Sequence, residues 1–249
     1  MKSQNLSQGL NSFALPGSGY GYTGAAIDAL PSNENTIAFG LFDESGSTRS
    51  FARQMELCVQ EFVRSLRHSA DKIIYRHCHF DTEFREIHGY KPLSECLETD
   101  YDGIWAGGGQ TALFKSEDNV LAATLDYAEK QAAKKYIVNA FGYFMSDGQN
   151  YLPGQPNAPT QDDVRMRNAR CIASESLESI NTIMIGVNAD AGIRRELEAH
   201  SNYVGFTQFI PIEKADEKTL AKIMGFISRS LQATSVALGS NGPSKSLTF

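Results

Sequence analysis

The sequence predicts an α/β fold: a doubly wound, mainly parallel sheet flanked by helices, with one antiparallel edge strand. Three observations carry this. Short continuous apolar runs such as "NTIAFGLF" (35–42) and "NTIMIGV" (181–187) read as strands buried on both faces, as parallel strands are. Segments with apolar residues three and four apart alternate with these runs, and that alternation implies crossover units around a parallel sheet. The chain has 249 residues, enough to bury such a sheet in one domain.

The elements follow in order. Residues 1–34 are rich in Gly, Ser, Asn and Tyr, with Pro16 and Pro31 as breakers, and are expected to form an irregular arm ordered where its aromatics dock. The domain proper is expected over 35–237. Its first strand ends at Asp43. Phe51, Met55, Val59, Phe62 and Leu66 then recur at spacings of four, four, three and four, which is one stripe of an amphipathic helix. "KIIYRHCHF" (72–80) is the next strand; His77 and His79 share one of its faces and read as core or edge residues. "FREIHGYKPL" (84–93) is the expected edge strand, stopped near Pro92.

After the glycine-rich "WAGGGQTALF" (105–114), a helix from about Ser116 places Val120, Leu121, Thr124, Leu125, Ala128 and Ala132 on one side. "YIVNAFGYFM" (136–145) is long for one strand, so that helix is expected to run a few residues past Lys135. A loop with Pro153, Pro156 and Pro159 precedes a helix near 161–179. The strand "NTIMIGV", the helix "GIRRELEAHS", the strand "FTQFIPI" and the helix "DEKTLAKIMGFISRSLQ", with its acidic first turn, complete the fold. The Gly/Ser-rich tail, 238–249, is expected to be mobile.

Composition excludes several function classes. The net charge is −6, whereas a nucleic-acid binder needs clustered Lys and Arg, so nucleic acid is not expected as a partner. No apolar run approaches the roughly 20 residues that span a bilayer, so no membrane is expected either. "MKSQNLSQGLNSF" has no apolar core of a secretory signal, and Cys58, Cys78, Cys96 and Cys171 form no paired zinc motif. The expectation is a cytoplasmic protein with reduced thiols.

The chemistry concentrates at strand ends, where open α/β sheets place their sites. "DESGS" puts Asp43, Ser45 and Ser47 at alternating positions, Gly46 letting the backbone bend between them. Thr111 follows Gly107, Gly108 and Gly109, and Asp147 precedes Gly148. Carboxylates and hydroxyls without imidazole or thiolate suit Mg²⁺, Mn²⁺ or Ca²⁺. Two other readings stand beside this one. Ser47 or Thr48 could cap the following helix. "GYGYTG" (19–24) matches a dinucleotide-binding fingerprint, with Asp43 as its ribose acid, but it lacks a preceding strand of any length and a following helix.

At these residues the sequence resembles the von Willebrand factor A domain with a metal-ion-dependent adhesion site. The family motif is D-x-S-x-S, a Thr in a Gly-rich loop and an Asp-Gly; here they stand as "DESGS", "GGGQTALF" and "SDG". Gln110 intervenes before Thr111, where the family reads Gly-Gly-Thr. The resemblance implies a Rossmann-like fold with a divalent cation, Mg²⁺ first, held by Asp43, Ser45, Ser47, Thr111 and Asp147, directly or through water. It implies a binding module rather than an enzyme, with the partner's Asp or Glu completing the coordination. Glu44, Trp105, Gln110 and Gln149 flank the site as candidate partner contacts. "FISRSLQATS" resembles stand-alone bacterial members of stress-resistance operons, a bacterial or phage type. By analogy, the partner would be an AAA+ ATPase or a kinase–phosphatase pair.

Overall fold

The computed structural model describes residues 9–15, 19–67, 71–238 and 247–249. Pro16 and most of the expected mobile tail lie outside them. Eight strands form one sheet: β1 (Asn11–Ala14), β2 (Gly21–Gly24), β3 (Glu34–Asp43), β4 (Ile73–Phe80), β5 (Phe84–Pro92), β6 (Ile137–Ser146), β7 (Ile180–Val187) and β8 (Gln208–Ile212). Five α-helices flank it: α1 (Ala52–Leu66), α2 (Leu113–Ala132), α3 (Gln161–Ile172), α4 (Ala191–Val204) and α5 (Glu217–Val236). The strand order is β1-β2-β5-β4-β3-β6-β7-β8. β3, β4, β6, β7 and β8 pair in parallel, while β5 runs antiparallel to β4.

Side-chain alternation along β3 divides the core in two. Ile37, Phe39 and Leu41 face the layer built by α2, α3 and α4. Ala38 and Phe42 face the layer built by α1 and α5. At full burial, each large apolar side chain in these layers contributes about 1.5–3 kcal/mol of transfer free energy. Gly40 sits among the hydroxyls of Tyr143 and Tyr75. A Cβ there would lie 2.5 Å from one and 2.7 Å from the other, so the two phenols meet only because this position has no side chain.

Three expectations change. First, β5 is antiparallel as expected but does not end the sheet, because a β1–β2 hairpin lies outside it. The hairpin's ladder to β5 is short, with Gly24 opposite Tyr90 and a 2.7 Å bond from Ala25 N–H to the Tyr90 carbonyl. Side chains complete the attachment. Tyr22 donates to Asp126 at 2.6 Å, the Glu86 carboxylate accepts from the Thr23 amide and hydroxyl, and Tyr90 stacks on Tyr127. β1 and β2 are therefore regular strands within the segment expected to be an irregular arm. "GYGYTG" supplies a hairpin strand and not a phosphate loop before a helix, which removes the dinucleotide reading.

Second, α2 stops at Ala132 and Lys135 turns the chain at φ 66°, so residues 137–146 form one ten-residue strand. Third, α3 ends at Ile172, short of 179. It starts on a reciprocal cap between Thr160 and Asp163. Among the described residues, no helix is long and apolar enough to cross a membrane.

Strand order reverses between β3 and β6. These neighbours leave the sheet in opposite directions, and their carboxyl ends open a crevice between Asp43 and Ser146.

Candidate metal centre

Three loops meet at that crevice. Asp43 closes β3 and is buried; its Oδ1 accepts from Ser45 N–H at 2.8 Å and its Oδ2 from Ser146 Oγ at 2.6 Å. Residues Gly46–Ser50 form a 3₁₀ turn that holds the two serines beside each other, Oγ to Oγ at 3.2 Å. Ser47 Oγ donates to Asp147 Oδ1 at 2.8 Å, joining the ends of β3 and β6. The capping alternative is not used. Phe51 occupies the N-cap of α1 without a side-chain bond, and Thr48 Oγ1 turns back to the Ser45 carbonyl at 2.9 Å.

The glycine-rich loop supplies the third edge. Gly107 and Gly109 take positive φ, 57° and 69°, and a Cβ on Gly109 would lie 2.7 Å from Thr82 Oγ1 and 2.9 Å from Asp81 Oδ2. Only glycine fits there. Gln110 N–H donates to Thr82 Oγ1 at 2.9 Å, and Thr111 exchanges backbone hydrogen bonds with Tyr151 at 3.2 and 2.8 Å. Asn150 Oδ1 accepts from Phe114 N–H at the start of α2, at 3.2 Å. A Cβ on Gly148 would lie 3.6 Å from Thr111 Oγ1, so the Thr111 side chain packs beside the Asp147–Gly148 turn. Hydrogen bonds thus link Asp43, Ser45, Ser47 and Asp147 into one cluster. Thr111 adjoins it beside Gly148, without a hydrogen bond to the four cluster side chains among the described residues.

Electrostatics fit a cation. Burial pushes the Asp43 carboxyl up to about 6; bonds from Ser146 and Ser45 resist this, and the neighbouring Asp147 charge adds to it. Asp147 is also raised, by burial, against its bond from Ser47. Two adjoining carboxylates with hydroxyl donors, and no cation paired with them among the described residues, form an oxygen-only set of the kind hard divalent ions prefer. Among the described residues no three His, Cys, Asp or Glu side chains gather as a metal-holding group, so hydroxyls have to supply part of any coordination here.

The flanking residues divide. Gln149 is exposed at the rim and Gln110 is half-buried. Trp105 packs under the loop, its ring 4.3 Å from that of His79 and 5.6 Å from that of Phe42. Glu44 does not face outward as a partner contact would. It is buried, bonded to Arg85 and His79, and accepts from Ala106 N–H at 3.1 Å. Burial opposes its ionisation, but the bonds and charges of His79 and Arg85 prevail and hold its carboxyl at about 2. Ser146, Arg85 and Tyr151 escaped the sequence reading; only the position of Ser146 next to Asp147 hinted at a role. A cleft of about 430 Å³ opens beside Gln149 and Asn150, where His200 stacks on Phe114 and bonds Glu117 at 2.8 Å.

No protein-family model matches this sequence, and no curated protein matches it. The fold is similar to that of several solved structures and is von Willebrand factor A-like. Proximal thread matrix protein 1 of the mussel byssus, with a zinc-occupied MIDAS motif, aligns over 80% of this chain and 48% of its own, at 17% identity and a TM-score of 0.55. The PilB minor pilin from Streptococcus sanguinis aligns over 80% and 61%, at 10% identity and a TM-score of 0.56. The von Willebrand factor type A protein from Catenulispora acidiphila aligns over 86% and 44%, at 13% identity and a TM-score of 0.55. The chain thus spans 44% to 61% of the length of these structures. At such identities the likeness speaks for the fold.

Proposed function

We propose that the chain is a metal-dependent protein-interaction module. Asp43, Ser45, Ser47, Thr111 and Asp147 would hold one divalent cation, Mg²⁺ before Mn²⁺ or Ca²⁺, with Asp43 and Asp147 acting directly or through water. The observation that carries this reading is the 2.8 Å bond from Ser47 to Asp147, which brings the D-x-S-x-S turn and the Asp-Gly turn to one point across 100 residues of sequence. A bound cation supplies an electrophilic centre for a further oxygen ligand. With at most two protein carboxylates, acting directly or through water, and hydroxyls for the rest, the ion would keep an open position that a partner's Asp or Glu would take. We read this as binding rather than catalysis. A cytoplasmic partner such as an AAA+ ATPase or a kinase–phosphatase pair is the setting the sequence resemblance suggests.

Calorimetric titration of the metal-stripped chain with Mg²⁺, Mn²⁺ and Ca²⁺ tests the site. One ion per chain is expected, with binding lost in Asp43→Ala while the circular dichroism of the fold is retained, because Asp43 lies at the rim of the sheet. Equal binding by wild type and variant would sink the assignment.

A further inference from the structure

We propose that Glu44 is a positioning residue: its buried carboxylate anchors the glycine-rich loop to the end of β3, so that Thr111 is in place before any ion arrives. This rests on the metal-site reading above. The residue lies beside Asp43, yet everything it touches belongs to other segments. Its carbonyl accepts from Gly108 N–H at 2.8 Å, and its Oε2 accepts from Ala106 N–H at 3.1 Å. Arg85 of β5 donates through Nε to Glu44 Oε1 at 3.0 Å, through Nη2 to Oε2, and through Nη2 to the Ile104 carbonyl at 2.6 Å. Ile104 and Ala106 are therefore held by the carboxylate and its cation, and Gly108 by the main-chain carbonyl of the same residue.

Behind Glu44 runs a buried row of polar side chains. His79 Nδ1 lies 3.1 Å from Glu44 Oε2, and His79 Nε2 lies 2.9 Å from His77 Nε2. His77 Nδ1 is 2.8 Å from the Tyr75 hydroxyl, which is 2.7 Å from that of Tyr143. All four of these side chains are fully buried, and burial keeps both imidazoles neutral. An ionised carboxylate only accepts, so His79 carries its proton on Nδ1. Its Nε2 then accepts, so His77 carries its proton on Nε2 and accepts at Nδ1 from Tyr75, which accepts from Tyr143. One charge sets the direction of the whole row.

Glu44→Gln keeps the shape and breaks the logic. The amide nitrogen must face either Arg85 Nε–H or the group formed by His79 and Ala106 N–H, and each of these is a donor. Nitrogen-15 NMR and amide exchange in EDTA, together with Mg²⁺ titration, test the proposal. Wild type is expected to show His79 as the Nδ1–H tautomer and His77 as the Nε2–H tautomer, with Ala106 and Gly108 amides protected without metal. In Glu44→Gln the fixed tautomers and the Ala106 protection should be lost, while Gly108, bonded to the main-chain carbonyl of residue 44, serves as an internal reference. Mg²⁺ affinity should fall about 10- to 100-fold, as for other changes one step behind a metal ligand. Arg85→Met should release the loop but leave the His79 tautomer, which separates anchoring from loss of fold. Retained protection, retained tautomers and Mg²⁺ affinity within twofold of wild type in Glu44→Gln would overturn the proposal. A wild-type chain that binds no divalent ion would overturn the metal-site reading, and the metal-free data would then decide the loop anchor by themselves.

Discussion

Lowering the pH from 7 to 5 in EDTA is expected to destabilise the chain by several kcal/mol. His77, His79 and His88 are all fully buried. Burial drives His77 well below the ordinary imidazole range and lowers His79, and burial with the Lys91 charge takes His88 to about 3. The sign follows from which state binds protons. Below about pH 6.5 the unfolded chain protonates these rings while the folded chain does not, so stability present above that pH is lost as it falls. The two protons of His77 and His88 correspond to about 3 kcal/mol per pH unit, and His79 adds to this until it too is protonated. Asp43, raised to about 6, takes up a proton in the folded state and offsets about one of these protons.

His200 acts with the opposite sign and only at the top of this range. Burial lowers it, but Glu117 prevails and raises it, so its contribution is complete below about 6.5 and is lost only as pH rises through its folded value. Urea midpoints at pH 7, 6 and 5 measure the effect. A midpoint that does not move would mean that the rings are solvated or protonated in the folded chain.

Replacing Arg76 with methionine should cost about 3–5 kcal/mol, the usual result of stranding one member of a buried ion pair. Arg76 is fully buried, with Nε 2.6 Å from Glu86 Oε2 and its guanidinium among the rings of Phe84, Tyr90 and Tyr22 at 5.3, 5.7 and 5.8 Å. Methionine replaces the volume but not the charge. Glu86 also binds Thr23 of β2, so the loss should fall on the hairpin first, as faster amide exchange in residues 21–24. Adding Glu86→Gln to Arg76→Met should recover part of the stability, since a neutral amide tolerates the site better than a lone carboxylate. A loss below 1 kcal/mol in the single variant would show that water reaches Glu86 freely.

The parts of this fold legible in the sequence are those whose cause is local. The runs ending at Asp43 and Val187 announce strands buried on both faces, and the stripe from Phe51 to Leu66 announces α1. The spacing of Asp43, Ser45 and Ser47 made the cluster legible because side chains two apart on a turn converge. Other features depend on distant partners. β1 and β2 are four residues each, and aromatic packing against Tyr90 and Tyr127, far along the chain, holds them. Lys135 in the left-handed region ends the α2 segment where no glycine or asparagine marks the turn. Glu44 follows a strand end, where an acidic residue ordinarily meets solvent; Arg85 and His79, from two other strands, reverse that expectation.

The hairpin has a consequence for the chain in a crowded solution. A bare β5 would offer unpaired N–H and C=O groups to any other chain, a ready template for aggregation. β2 closes over Gly89 and Tyr90, where a Cβ on Gly89 would lie 2.0 Å from the Thr23 carbonyl oxygen, and the four-residue β1 ends the sheet with a strand too short to recruit another. Protection of this sheet edge against other chains therefore falls to β1 and β2.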